Sequence, residues 1–281
     1  MNMKRTARYG TNILGGFGID GVEQIQIIKE TGFDAFFTGW NRKDRGAVIR
    51  YAEAAAKAGL FYETVHAPFG KMNSMWVDGL EGDDWRDMLI ECADDTAAAG
   101  VGIMVTHVTV ASTAPPPSEI GYRRFLEVAE HAAKIGVKIA LENLEIPEHL
   151  AYLFERLGSM DNIAFCWDTG HNLCYTPEID MMELYGDRLI CLHINDNNGI
   201  SIPGVITWHD DSHFLPFDGR VDWVGVAGRL DKAGWNGILT QEVNRGKEGC
   251  EKIPAYSEMS YREFLAESLE RLHRLNSLRA E

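Results

Sequence analysis

Short apolar runs alternate with segments of helical periodicity along almost the whole chain, and this alternation limits the possible folds more than any other feature. The runs lie at about 9–13, 33–38, 61–66, 102–108, 138–143, 163–168, 189–195 and 237–243. Each run has the length of a buried strand and ends near turn-forming residues. Eight predicted strands that alternate with eight predicted helices indicate an α/β fold, a single (β/α)8 barrel.

The segments between the runs carry helix start and stop signals. In 83–100, apolar residues recur on one face, with Asp83 as the predicted N-cap and Gly100 as the predicted stop. The other predicted helices lie near 20–31, 43–58, 118–135, 147–157, 178–186, 221–233 and 258–278. A doubly wound sheet is the alternative, but the segment GTNILGGFG lacks the G-x-G-x-x-G spacing of a dinucleotide site. We therefore predict one barrel domain over residues 1–281.

Composition narrows the range of partners. The formal net charge is −15, from 27 Lys and Arg against 42 Asp and Glu, so the surface opposes a phosphate backbone and we expect no nucleic-acid partner. No apolar run approaches the roughly 20 residues of a membrane span, and the N-terminal MNMKRTARYG has no apolar signal-peptide region. The five cysteines form no C-x-x-C pair, which favours a reducing cytoplasm.

Six consecutive predicted strands end in an ionisable side chain. These residues are His66, His107, Glu142, Asp168, His193 and Glu242. In a barrel the C-terminal ends of the strands meet at one face, where active sites form. The six side chains are therefore expected to converge.

Strand parity gives a second test of this convergence. Counting back by two from the polar ends gives the small residues Ala140, Ala164, Cys166, Cys191 and Thr240, which suit a narrow barrel interior. The opposite parity gives bulky residues suited to the surrounding helices: Ile139, Leu141, Phe165, Trp167, Ile190, Leu192 and Leu239. Glu142, Asp168, His193 and Glu242 are therefore predicted to point inward at the same end.

Three carboxylates in one buried mouth repel one another, and burial further opposes their ionisation. A divalent cation removes this conflict. Two Glu, one Asp and one His without a thiolate suit Mn, Co, Mg or Zn, so Glu142, Asp168, His193 and Glu242 are the predicted metal ligands.

Other polar residues leave several interpretations open. His131, His149 and His273 lie on predicted helices and are read as surface residues. Asp211 and His213 lie in the long segment 195–220, where they could ligate a second metal, bind substrate or cap the loop. That segment and 67–82 are long strand-to-helix connections, which are often functional lids.

The motifs at these strand ends resemble the xylose isomerase-like TIM barrel superfamily, which groups sugar and sugar phosphate isomerases and epimerases with endonuclease IV. The motifs are HAPF, ALEN, DTGH, HINDN, DSHFLPFDG and TQEV, in this order from strand 3 to strand 8. An arginine that the epimerases carry shortly after the strand-7 histidine is absent from HINDNNGIS. The DNA-intercalating loops of endonuclease IV are also absent.

The resemblance implies roles for individual residues. In the ketose epimerases the metal ligands match Glu142, Asp168, His193 and Glu242, the two glutamates are the acid/base pair, and the histidine matching His171 contacts substrate. In the endonuclease IV branch a zinc cluster also uses five residues, which match His66, His107, His171, Asp211 and His213. The resemblance therefore implies one divalent cation and leaves a second or third zinc open.

The predicted function is metal-dependent isomerisation or epimerisation of a small sugar, sugar phosphate or keto-polyol. Glu142 and Glu242 would move a proton through an enediolate, with Arg245 and Lys71 as candidates for substrate binding. The alternatives are an inosose-type dehydratase, an endonuclease IV-like zinc phosphodiesterase and a sugar-binding barrel without catalysis. The C-terminal helix is a candidate surface for a homo-oligomer.

Overall fold

The structure, a computed structural model, describes residues 7–280 and contains one parallel sheet closed into a barrel. The strands are β1 (Arg8–Asn12), β2 (Ala35–Gly39), β3 (Phe61–His66), β4 (Ile103–Thr106), β5 (Lys138–Glu142), β6 (Ile163–Asp168), β7 (Leu189–His193) and β8 (Ile238–Thr240). Their order is β7-β6-β5-β4-β3-β2-β1-β8. Backbone bonds from Ile194 N to Thr240 O and from Glu242 N to Ile194 O join the two ends of the sheet. The predicted (β/α)8 barrel is confirmed.

Helices surround the sheet. They are α1 (Gly21–Thr31), α2 (Ala47–Ala58), α3 (Leu80–Ala98), α4 (Glu119–Lys134), α5 (Pro147–Leu157), α6 (Thr169–Cys174), α7 (Met181–Tyr185), α8 (Trp223–Lys232), α9 (Pro254–Glu258) and α10 (Tyr261–Ser277). The short helices α6 and α9 were not predicted. Within residues 7–280, no helix is both long and apolar enough for a bilayer crossing. The single-domain and signal-peptide predictions extend to residues 1–6, which lie outside the described residues.

Two predictions about helix-forming segments need correction. Helix α3 begins at Leu80, so Asp83 lies in its first turn rather than at its N-cap, and its carboxylate accepts a bond from Arg124. His149 is buried on α5 rather than exposed, and its Nε2–H donates to Pro115 O at 2.7 Å. Trp76 stacks edge-on against that imidazole. The predicted stop at Gly100 is confirmed by its positive φ of 72° just after the helix.

The barrel interior is filled by small side chains, as the parity argument predicted. Val105, Ala140, Cys166 and Cys191 form a buried cluster of their own, separate from the large apolar layer between sheet and helices. Ile190 packs against this inner cluster, so its predicted contact with the helices is wrong. The cause is a register shift in the β6–β7 pairing, where Phe165 faces Leu189 but Cys166 faces Cys191.

The narrow interior gives a stability prediction. Ala140→Leu should lower the free energy of unfolding by about 1–3 kcal/mol or more, because the added atoms meet Cys166 and Cys191 inside a closed barrel. Denaturant titration followed by circular dichroism measures the change. The matched control is Ala56→Leu on the exposed side of α2, which adds the same atoms and should change stability by less than about 0.5 kcal/mol. Equal effects of the two substitutions would contradict the packing argument.

Candidate active site

Glu142 lies at the centre of the group formed by the strand ends. Its carboxylate is fully buried at the end of β5. Its oxygens lie 2.9 Å from His193 Nδ1, 3.2 Å from His66 Nε2 and 3.3 Å from His107 Nε2. The structure therefore brings together side chains from strands that are far apart in the sequence.

Glu142, Asp168, His193 and Glu242 form one donor set, with ligand atoms all within 4.8 Å of one another. His193 Nδ1 lies between the two glutamates, 2.9 Å from Glu142 and 3.1 Å from Glu242. The His193 ring stacks on Phe37 at a centroid distance of 4.7 Å, which fixes its plane. The structure thus places the four predicted ligands around a common position.

Asn143 and Asn195 hold Asp168 in place. The Asn143 side chain donates to Asp168 O at 2.9 Å and accepts from Asp168 N at 2.8 Å, which ties β5 to β6. Asn195 donates to Asp168 Oδ2 at 2.8 Å, and the other oxygen accepts from His171 N as the cap of α6. Gly170 packs directly against the Asn195 amide, where a Cβ would overlap. The segment DTGH therefore starts helix α6, with Asp168 as its N-cap.

The charges of this group depend on one another. Burial raises the pKa of Asp168 to about 6, with attraction from His171 opposing the shift and repulsion from Glu142 adding to it. Burial opposes protonation of His193, but attraction from Glu242 and Glu142 outweighs it and raises the pKa of His193 well above its ordinary value. Burial also opposes ionisation of Glu242, yet His193 outweighs it and lowers the pKa of Glu242 to about 2.

These properties fit a divalent cation. Three carboxylates crowd one buried position, and the only positive charge within the donor set is a proton on His193, which a cation could replace. Cys166 Sγ also lies within reach of Glu142 and His193. Burial raises the pKa of the Cys166 thiol well above its ordinary value, so the thiol stays protonated and leaves oxygen and imidazole donors for Mn, Co, Mg or Zn.

Further donor sets adjoin the first, and two of them contain the remaining predicted residues. His66, His107 and Glu142 form one of them, and His171, Asp211 and His213 form the other. Asp211 Oδ2 lies 3.0 Å from His213 Nε2 and 3.4 Å from His171 Nε2. All five residues predicted for a second metal or for substrate binding thus lie next to the first donor set, and whether they bind metal or substrate stays a prediction.

Members of all three donor sets line a cavity of about 390 Å³, and Glu242 is the member from the first set. Phe69 and Trp208, each 43% exposed, lie at its wall, so both long loops contribute residues to it. The other residues around it are His66, His107, Val110, Ala111, Leu144, Glu145, His171, Tyr175, Asp211, His213, Glu242 and Lys247. A cavity with aromatic walls and clustered polar groups is typical of a small-molecule site.

Arg245 and Lys71, the predicted substrate-binding cations, do not line this cavity. The guanidinium of Arg245 donates to the backbone carbonyls of Gly16, Tyr256 and Ser257, and it stacks over Phe17. Lys71 is exposed and pairs with Glu81 at 2.6 Å. Both side chains are thus engaged in local structure.

Lys247 and Glu145 were missed by the sequence reasoning. Lys247 Nζ lies 2.5 Å from Asp211 Oδ2, and Glu145 Oε1 accepts from Ala111 N while Oε2 is buried without a partner among the described residues. Both residues follow barrel strands, Lys247 after β8 and Glu145 after β5. Their position in loops at the catalytic face was the available signal.

With this geometry in place, comparison with known proteins identifies the family. Residues 25–270 match the xylose isomerase-like TIM barrel family, so the chain belongs to that family. The chain is also 30% identical over 244 residues to the uncharacterized protein y4fM of Sinorhizobium fredii, which covers 72% of this chain and 74% of that protein.

Solved structures share the fold. D-psicose 3-epimerase from Clostridium cellulolyticum H10, solved with D-tagatose, has a TM-score of 0.74 at 15% identity and covers 97% of this chain and all of its own. The 3-keto-D-glucoside 4-epimerase YcjR from E. coli has a TM-score of 0.69 at 17% identity and covers 96% of this chain and 99% of its own. At such identities the likeness establishes the fold.

Metal affinity should fall as the pH drops through about 6. Below that value a proton occupies the Asp168 carboxyl, and a cation must displace it. We expect binding of Mn²⁺ or Zn²⁺ to chelator-treated protein to be at least about tenfold weaker at pH 5 than at pH 7, as measured by calorimetry, because the proton on His193 must be displaced as well. The same cations at 100 times their dissociation constant should stabilise the fold by about 2.7 kcal/mol at pH 7. Affinity that does not change over this range would contradict the assignment of Asp168 as a ligand.

Glu63 gives a separate pH-dependent prediction. This residue bulges from β3, and inside the barrel it accepts a hydrogen bond from Thr240. Burial raises the pKa of Glu63 to about 7, so the folded state holds a proton that the unfolded state loses near pH 4. Ionisation therefore costs stability as the pH rises from about 4 to 7, and the full cost applies above 7.

Glu63→Gln should stabilise the protein by about 3 kcal/mol at pH 8.5 relative to the wild type, with little effect at pH 4. Paired denaturant titrations at the two pH values measure this difference. A stabilisation of the same size at both values would show that the effect comes from packing and not from the charge.

Proposed function

We propose that this protein is a divalent-metal-dependent sugar isomerase or epimerase that moves a proton between Glu142 and Glu242. The observation that carries the proposal is the approach of both carboxylates to the same nitrogen, His193 Nδ1, at 2.9 and 3.1 Å from strands three apart around the barrel. Two acid/base groups on different sides of one position suit a reaction at a planar carbon centre.

The metal would be held by Glu142, Asp168, His193 and Glu242, and it supplies Lewis acidity toward a substrate carbonyl and its neighbouring hydroxyl. One glutamate removes the proton from the carbon next to the carbonyl. The other glutamate, ionised at rest, takes a proton from solvent and delivers it to the enediolate, while the first releases its proton to solvent. Where the proton moves along one face, the first glutamate itself returns the proton that it removed. Return to the opposite face of the same carbon gives epimerisation, and return to the adjacent carbon gives isomerisation.

The electrostatics support glutamates that begin as bases. The pKa of Glu242 lies near 2 and that of Glu142 well below its ordinary value, because the attraction of His193 outweighs the burial that opposes ionisation of each. Both carboxylates are therefore ionised at neutral pH and free to accept a proton. The aromatic side chains Phe69, Tyr175 and Trp208 at the cavity wall provide flat apolar surfaces of the kind on which sugar rings pack.

The structural neighbours support the same reaction class. The names of two solved relatives describe a D-psicose 3-epimerase and a 3-keto-D-glucoside 4-epimerase. Both act at a carbon within one bond of a carbonyl, as a proton-transfer mechanism requires. We propose a sugar or keto-polyol as the substrate class for this chain.

A second candidate function is metal-dependent phosphodiester hydrolysis. It is favoured by the presence of all three donor sets, which could together hold a cluster of zinc ions. The net charge of −15 opposes a DNA substrate. Nicking of a duplex that contains one abasic site, in zinc-loaded protein, would establish this function over the first.

Glu142→Gln and Glu242→Gln should each lower turnover by about 10²- to 10⁴-fold, because each removes one acid/base group. The measurement is a screen of ketoses and keto-polyols in D₂O, which reports deuterium entering the substrate carbon by NMR and detects a dehydrated product if water is lost. Metal removal by a chelator should abolish exchange, and adding back Mn²⁺ or Co²⁺ should restore it.

The control is Glu155→Gln, an exposed carboxylate on α5, which should leave both turnover and exchange unchanged. Solvent deuterium in the product supports proton transfer through the glutamates. Turnover without deuterium entry would exclude transfer that involves both glutamates, and full activity in both glutamine variants would disprove the mechanism.

A further inference from the structure

The third donor set, His171, Asp211 and His213, has the geometry of a metal site, but a lysine side chain contacts it. Its ligand atoms lie within 4.8 Å of one another, and all three side chains are buried. Lys247 approaches from the loop after β8, and its Nζ lies 2.5 Å from Asp211 Oδ2. This is the same oxygen that faces the two histidines.

Backbone carbonyls orient both histidines. His171 Nδ1 lies 3.0 Å from Asn143 O, and His213 Nδ1 lies 2.9 Å from Glu242 O. A carbonyl can only accept, so each Nδ1 carries the proton and each Nε2 points toward Asp211. Metal-binding histidines show this arrangement, in which one ring nitrogen donates to a carbonyl and the other faces the cation.

Such a group needs positive charge at its centre. A neutral imidazole with its proton on Nδ1 presents a lone pair to the carboxylate, and this contact is repulsive unless a cation or an added proton intervenes. The Lys247 ammonium supplies a positive charge at the oxygen where a metal would bind. Lysine is ordinarily charged at neutral pH, and the 2.5 Å contact with Asp211 Oδ2 pairs this charge with the carboxylate.

We propose that Lys247 replaces a metal ion in the third donor set, so that His171, Asp211 and His213 bind no divalent cation in this protein. An ammonium 2.5 Å from Asp211 holds the oxygen that a cation needs, and it repels a second positive charge at the same place. The inference goes beyond the proposed function, since it concerns the number of metals and holds whatever the substrate is.

The test compares metal counts between variants. Wild type, Lys247→Met, Lys247→Arg and Lys252→Met are saturated with Zn²⁺, freed of excess by gel filtration and measured by elemental analysis. Lys247→Met should hold one zinc ion more than the wild type. Lys247→Arg keeps the charge, and Lys252→Met removes an exposed lysine of the same loop, so both should match the wild type.

A Lys247→Met count equal to that of the wild type would overturn the proposal. Asp211→Asn, made in the wild-type background, gives an independent answer even if the Lys247→Met variant does not fold. An unchanged count supports the proposal, whereas loss of one zinc ion means that a metal already occupies the third set. Because the readout is a difference in zinc ions per chain, absence of sugar turnover would count against the proposed function alone.

Discussion

The structure depends on how the buried carboxylate of Glu142 is neutralised. Glu142 has no exposure to water, and nitrogens of four histidines lie within 3.6 Å of its oxygens. Removing a carboxylate from water costs several kcal/mol unless positive charge and hydrogen bonds replace the solvent. Strands β3, β4, β6 and β7 each contribute one imidazole at or just after their ends. The closed barrel makes this possible because it brings strands from both halves of the chain around a single point.

The small side chains beneath the site follow from the same need to bring several strand ends close to Glu142. Side chains that support Glu142 must leave room for strands to close tightly, which explains the small residues Ala140, Cys166 and Cys191 below it. Asn143 then ties β5 to β6 through two bonds to the Asp168 backbone. An amide directly after the buried carboxylate thus holds the neighbouring ligand strand in register.

Much of this arrangement could be predicted from the sequence, since strand ends and parity are local properties. The alternation of inward and outward side chains was predicted correctly for β5 and for most of β6 and β8. The prediction was wrong at Ile190, and it gave no hint that Glu63 enters the interior, because register shifts at β6–β7 and β2–β3 displace these residues. A bulge depends on how two strands pair, and one strand's sequence carries little of that information. His149 was misplaced for a related reason, since its carbonyl partner Pro115 lies in a distant loop.

The positively charged side chains of the loop after β8 show the limit of predicting site residues from their spacing in the sequence. Arg245 is three residues beyond Glu242 and was the natural candidate for the site, yet its guanidinium binds carbonyls that stabilise the turn around α9. Lys247, two residues later, enters the site as the loop turns back toward Asp211. The barrel strands and the donor residues by themselves are compatible with one bound metal ion or with several. A fold of this kind leaves the choice of chemistry to its loops, and here a single ammonium group from one loop adds to the charge balance of three converging donor sets.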